Sequence, residues 1–198
     1  MRPRQFDEDA LLAAAFDLFW RRGVRATTMA DLAHATGVRR GSLYNAYGDK
    51  ESIFLAAYAH YADGYLGSVE AAMARGCLRD RLLAFCDVSI ANFCQGLPPR
   101  GCPTTRGLME VAEHNREGLG ERAQQAFADL ISRVLSLVES AFREAASSGE
   151  FGGDPGLAAG QLVATVRGLV VLQRADVDER RLREIAAHCV TSILPESQ

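Results

Sequence analysis

Between residues 28 and 50 the chain gathers side chains suited to gripping and reading a polyanion: Thr28, Arg39, Arg40, Gly41, Ser42, Tyr44, Asn45 and Lys50. An arginine presents two N–H donors that match the major-groove edge of guanine, and an asparagine pairs in a similar two-point manner with adenine. Arg40 and Asn45 are the candidates for such base contacts. Thr28, Tyr44 and Lys50 suit phosphate oxygens, which fix position without reading sequence. Arg39 and Ser42 add hydrogen-bonding groups, and Gly41 lets the backbone come close.

These groups act together only if a short helix presents them on one face. Thr28 and Asp31 have capping-box spacing, with Asp in place of the usual Glu, and start a short helix. Met29, Leu32 and Ala33 point inward from it. Gly37 supplies the positive φ of a tight turn. A second short helix follows over about Arg39 to Ala46, with Val38 and Leu43 packing on Met29 and Leu32. Two short helices over a glycine turn set one helix into a major groove. On spacing alone, two ordinary amphipathic helices joined by a glycine fit these residues equally well.

The flanks are also helical. Leu12, Ala15, Phe16 and Phe19 make one stripe of a helix over about Asp7 to Arg22, with acid in its first turn, Arg21 and Arg22 in its last, and Gly23 as a left-handed cap. Gly48-Asp49 is a turn, and Asp49 caps a long helix over about Lys50 to Ala74 that carries Ile53, Phe54, Ala57, Tyr58, Tyr61 and Tyr65 on one side. Helices follow at about 79–96, 105–115, 119–148, 155–173 and 178–193. Gly/Pro-rich stretches at 96–101 and 149–155 separate some of them. Strand signals are nearly absent, so the fold class is all-α, with about nine helices.

Composition is ordinary for a globular chain of 198 residues, with 48% hydrophobic and 24% charged residues. The net charge of −3 alone argues against a nucleic-acid partner. Its distribution points the other way: residues 1–50 hold eight Arg and Lys against six Asp and Glu, and the remainder is acidic. Lys50 is the one lysine beside 21 arginines. No apolar run approaches the roughly 20 residues of a membrane span, and the N-terminus lacks a signal-peptide core, so the expectation is a cytoplasmic protein without a membrane partner. The five cysteines form no CxxC pair, so free thiols are expected, with no metal site and no cofactor.

Residues 26–38, ATTMADLAHATGV, and 41–51, GSLYNAYGDKE, resemble the N-terminal signature of the TetR (tetracycline repressor) family. Leu43, Tyr44, Tyr47 and Lys50 match that pattern in order and spacing, and FDLFWRRG at 16–23 resembles the family's first helix. The match covers about residues 6 to 55. It implies a DNA-binding domain at 1–50 and a ligand-sensing and dimerisation domain at 51–198. It also implies a homodimer, mostly a repressor, that binds double-stranded operator DNA and is released when an unknown small-molecule effector changes the spacing of the two heads. The helix at about 155–173 is apolar nearly all round, and the one at about 178–193 carries Leu182, Ile185, Ala186, Cys189, Val190 and Ile193. Together they are the expected dimer face.

Candidate effector residues are Tyr58, Tyr61, Phe93, Met109, Glu110 and His114, with Tyr65, Phe85 and Phe127 nearby in the pattern. An aromatic stripe at helical spacing serves a core as readily as a ligand. Residues 92–110, NFCQGLPPRGCPTTRGLME, resemble a stretch of one TetR subgroup in which a Gly-Cys pair opens the sixth helix. Some members of that subgroup sense electrophiles or oxidants through cysteine, and Cys94 and Cys102 would be the matching thiols. Cys102 stands where the helix should begin, and there the dipole favours a thiolate, with Arg100 and Arg106 close in sequence. Pro103 departs from the subgroup's aliphatic residue but suits a first helical position. An enzyme built on Cys102, Glu110 and His114 would show an oxyanion or cofactor signature. None is visible, so no catalytic residue is assigned.

Overall fold

The computed structural model describes residues 7–96, 99–113 and 120–194, with the side chains of 110–113 excepted. Among these the chain forms nine α-helices and no strand: α1 (Glu8–Arg22), α2 (Met29–Thr36), α3 (Arg40–Tyr47), α4 (Lys50–Met73), α5 (Leu78–Cys94), α6 (Pro103–Glu113), α7 (Glu121–Ser147), α8 (Pro155–Arg174) and α9 (Glu179–Ile193). The chain packs as two compact units, one of Met1–Tyr65 and Gly107–Ala128, the other of Leu66–Arg106 and Asp129–Gln198.

In the first unit, Asp7 caps α1 from outside the helix by accepting the N–H groups of Asp9 and Ala10, so the helix begins one residue later than expected. Leu12, Ala15, Phe16 and Phe19 are buried as the stripe requires, joined by Leu11 and Trp20. Gly23 donates its N–H to the Phe19 carbonyl at 2.8 Å, but its ψ of 155° corrects the expected left-handed cap. With φ 83° the chain leaves the helix extended, a backbone that glycine alone adopts readily. The capping box of α2 is complete. Thr28 Oγ1 accepts the Asp31 N–H at 3.2 Å, and Asp31 Oδ2 accepts the Thr28 N–H at 2.9 Å. Gly37 turns the chain in the left-handed region, φ 68° and ψ 7°. Asp49 accepts the Ser52 N–H at 2.7 Å and so caps α4.

The core of this unit is aromatic. Phe127 of α7 meets Tyr58 of α4 edge-on at 4.9 Å and Phe54 at 6.0 Å, while Phe54 meets Phe19 of α1 at 5.4 Å. Gly107 of α6 lies against the tip of the Phe127 ring, and a Cβ added there would fall inside the ring's van der Waals surface.

In the second unit α5 packs on α9 and α8, and α8 packs on α9. Glu150 Oε1 accepts the Leu78 N–H at the start of α5, and Arg79 donates to Thr191 Oγ1 and the Leu194 carbonyl. The sequence reading found no span of bilayer length. α8 corrects this, because by length and composition it is apolar enough to cross a membrane. Helices at the core of soluble proteins share that property. Ala158, Ala159, Leu162, Val163, Val166, Leu169 and Val170 of α8 are buried, whereas Leu157 is 76% exposed and Val171 60%.

Two predictions follow from this packing. Gly→Ala inside a helix ordinarily stabilises by about 0.5–1 kcal/mol. At Gly107 the methyl must displace Phe127, so Gly107→Ala is expected to destabilise by about 1–3 kcal/mol in urea unfolding; a gain would refute the close packing. The second concerns Asp31, whose carboxyl is held below its ordinary value by the Thr28 side chain and backbone, and further by Arg22. Its contribution is therefore complete above the unfolded value of about 3.9 and fades as pH falls through the lower folded value. The melting temperatures of wild type and Asp31→Ala should differ near neutrality and converge in acid; a gap independent of pH contradicts the ionic cap.

Candidate nucleic-acid interface and thiol site

On α3, Arg39, Arg40, Gly41, Ser42, Tyr44 and Asn45 are all exposed, and only Leu43 between them is buried. Arg39 occupies the cap position without using its side chain there. The Arg40 guanidinium lies 5.6 Å from the centre of the Tyr44 ring, and its Nη2 donates to the Tyr44 hydroxyl at 3.4 Å. The pair is one helical turn apart, so Tyr44 holds Arg40 against the helix rather than leaving it to sample solvent. A Cβ at Gly41 would meet nothing within 4 Å, so no neighbour inside the chain demands glycine there.

Thr28 uses its hydroxyl inside the capping box that the sequence predicts, whereas Lys50 has partners that the sequence does not reveal. The Thr28 hydroxyl donates to Asp31 Oδ2 at 2.6 Å. Lys50 is half-buried, and its Nζ donates to the Thr27 carbonyl at 2.8 Å and to the Arg25 carbonyl at 3.4 Å. It thereby ties the loop ahead of α2 to the start of α4. The Tyr47 hydroxyl donates to Glu8 Oε1 at 3.2 Å and joins α3 to α1. Those carbonyls have no sequence signature, because a backbone acceptor is the same on every residue.

The candidate effector residues divide between the two units. Tyr58 is buried in the aromatic core of the first. Tyr61 is half-buried and stacks on Phe16 at 4.4 Å, and Met109 of α6 is 60% exposed. His114 lies outside the described residues, as does the side chain of Glu110. The second unit holds Phe93, Cys94, Cys102 and Arg106. The Phe93 carbonyl accepts the Gly101 N–H at 3.0 Å, which places Cys102 just ahead of α6 as expected.

All five cysteines are free thiols, and their surroundings differ. Burial pushes Cys86 up to about 12, with Cys189 and Asp87 adding to the shift. Burial also raises Cys94, and Glu179 raises it further against the opposing pull of Arg183, which disfavours the nucleophilic thiolate. Cys77 is exposed and donates to Asp80 Oδ2. Cys102 is 7% exposed and accepts a hydrogen bond on Sγ from Arg167 Nη1 of α8 at 3.0 Å. Seven residues on, the Arg174 guanidinium lies against Gly101, where a Cβ would stand 3.2 Å from Nη2. The sequence reading assigned neither arginine to the site. The available signal was two arginines at i and i+7, the charged residues of a mostly apolar helix. Among the described residues no group of His, Cys, Asp and Glu is arranged to hold a metal ion.

Comparison with known proteins agrees with this architecture. Residues 11–57 match the family described as bacterial regulatory proteins, tetR family, and residues 78–189 match the tetracyclin repressor-like C-terminal domain. The HTH-type transcriptional repressor ComR of Escherichia coli K12 is 43% identical over 70 residues, 35% of this chain and 33% of ComR. The repressor NemR of the same strain is 30% identical over 130 residues, 63% of this chain and 65% of NemR. The matches thus span from about a third to just under two thirds of these relatives. A structure of the TetR-family regulator CifR, a cysteine mutant complexed with 26-base-pair operator DNA, is 26% identical with a TM-score of 0.82, over 96% of this chain and 99% of that one. Reduced E. coli NemR, at 24% identity and a TM-score of 0.82 over 96% and 98%, shares the fold. These relatives are regulators and not enzymes. With both halves of the chain matched, it belongs to the TetR family of bacterial regulatory proteins.

Proposed function

We propose that the chain is a repressor that binds double-stranded operator DNA as a homodimer in the cytoplasm and is released by a small-molecule effector. Residues 1–50 act as the DNA-binding head and 51–198 as the sensing and dimerisation part. The carrying observation is the face of α3, where six exposed residues surround one buried anchor, Leu43, beyond a left-handed turn at Gly37. On this reading Arg40 and Asn45 contact base edges, and Gly41 lets the helix backbone approach the duplex. Arg39, Ser42, Thr28, Tyr44 and Lys50 position the head on phosphate and sugar. The operator complex of CifR supports the same use of the fold.

The dimer reading rests on α8. Leu157, Gln161, Ala164, Gly168 and Val171 are exposed at i, i+4, i+7, i+11 and i+14, one small and mostly apolar stripe. Together with α9 it forms the proposed face between protomers, and two-fold symmetry then asks for a pseudo-palindromic operator. Effector release requires an effector that binds the released state more tightly than the operator-bound one. Tyr58, Tyr61, Phe93, Arg106, Met109, Glu110 and His114 are the proposed effector contacts. Tyr58 has to give up packing to serve as one, since Phe54 and Phe127 cover it.

A second reading, thiol sensing at Cys102 with Cys94 as the other thiol, is favoured by the Arg167 hydrogen bond to Cys102 Sγ. NemR and CifR, the latter studied as cysteine mutants, share this fold. The raised Cys94 makes Cys102 the primary thiol on this reading.

The direct test is a mobility shift and footprint on DNA upstream of the protein's own gene. No shift at low salt would remove the regulator reading. Arg40→Ala should cost about 1–3 kcal/mol of discrimination at one base position, whereas Lys50→Ala should weaken all sequences alike and lower the salt slope by about one. Identical effects from both changes contradict these roles. Val171→Glu should yield a monomer in light scattering and lose operator affinity; an intact dimer would exclude this face.

A further inference from the structure

The thiol-sensing reading of Cys102 leaves open what its oxidised form would bond to, and the guanidinium of Arg167 has a place for it. Nη1 donates to Cys102 Sγ at 3.0 Å, while Nη2 of the same group is buried and has no acceptor. Buried donors nearly always have partners, so an orphaned N–H on a charged group asks for an explanation. A guanidinium is a rigid planar fork that binds two adjacent acceptors at once. A thiol gives that fork one weak acceptor. A sulfenate gives it two neighbouring atoms, the sulfur and an oxygen, and carries the charge that a guanidinium prefers. A second guanidinium from the same helix, that of Arg174, lies close to Gly101, the residue before Cys102.

We propose that Arg167 is a positioning residue that holds oxidised Cys102 as a sulfenate, and that this site takes small oxidants rather than bulky electrophiles. In the chemical step the Cys102 sulfur attacks one oxygen of a hydroperoxide. The S–O bond forms and the O–O bond breaks. With hydrogen peroxide the sulfur loses two electrons, the second oxygen leaves as water with the thiol proton, and the sulfenic acid proton passes to solvent. Selectivity follows from burial. Cys102 is 7% exposed, which admits a molecule the size of hydrogen peroxide more readily than a maleimide, whereas Cys77 is open to both. This proposal rests on the thiol-sensing reading, but it can fail while that reading stands.

The test uses the full-length protein as wild type, Arg167→Met, Arg167→Lys and Cys102→Ser. Each receives one equivalent of hydrogen peroxide. At intervals, samples are denatured into excess 1,3-dione, and the adduct on the Cys102 peptide is measured by mass spectrometry. The expected result is a persistent adduct in wild type, a lifetime shortened about tenfold or more in Arg167→Met, and partial rescue by Arg167→Lys, which keeps the charge but not the fork. Circular dichroism checks folding. Should Arg167→Met not fold, Arg167→Lys against wild type decides the question. Equal lifetimes in wild type and the folded variants would overturn the role of Arg167 and leave thiol sensing intact. Absence of any Cys102 adduct in wild type, at doses that oxidise Cys77, would overturn both. In a parallel arm N-ethylmaleimide should label Cys77 well before Cys102; equal rates would overturn the size selectivity.

Discussion

Phe127 is gripped from two helices, α4 and α6, and the first unit depends on that grip. Gly107 of α6 covers one part of the ring, and Tyr58 and Phe54 of α4 meet it edge-on. Phe54 passes the contact to Phe19 of α1. Because interiors are packed to crystal density, a ring held this way cannot slide without its neighbours. α1 is the scaffold on which α2 packs, and α2 in turn carries α3. The angle at which the exposed face of α3 is offered therefore traces back through packed aromatic rings to one glycine that gives the ring room.

Local chemistry was readable in the sequence where one residue type imposes one geometry. Thr28 and Asp31 three apart gave the cap, Gly37 gave the turn, and the stripe of Leu12, Ala15, Phe16 and Phe19 gave the buried face of α1. Gly23 was legible as a positive φ but not as its ψ, because glycine permits several ways out of a helix and the next element selects one. The partners of Lys50 were hidden for another reason. They are main-chain carbonyls 23 and 25 residues away, and sequence does not label an acceptor that every residue carries. Cys102 was visible as a reactive type, whereas Arg167, 65 residues distant, became its neighbour only through tertiary packing.

Burial sorts groups that composition treats as equals. Cys86 and Cys102 are both buried, yet Cys86 lies where desolvation raises it to about 12, and Cys102 accepts a hydrogen bond from a guanidinium. Tyr44 and Tyr58 are likewise one residue type in two roles. Tyr58 is sealed by rings, while Tyr44 stands exposed with Arg40 laid along it. A side chain held in place before binding loses less freedom on binding, so the Arg40–Tyr44 contact favours a recognition helix whose donors are already arranged.

α8 shows why an apolar helix should be read face by face. Its core-facing residues run from Ala158 to Val170, and the exposed stripe from Leu157 to Val171 lies on the opposite side. Arg167 and Arg174 fall on the flank between them, about a quarter turn from the exposed stripe at 3.6 residues per turn. On the proposed readings that flank joins two duties. A guanidinium drawn toward an oxidised Cys102 moves on the same rigid helix that presents Val171 to the partner protomer. A change of one oxygen atom at a sulfur would then be felt at the dimer face without a separate relay. Such coupling requires the helix to have two stable seatings, and close-packed interfaces tend to shift between discrete arrangements rather than deform continuously. The two arginines, the charged residues of α8, are thus the residues through which its position could be made to depend on the chemistry of Cys102.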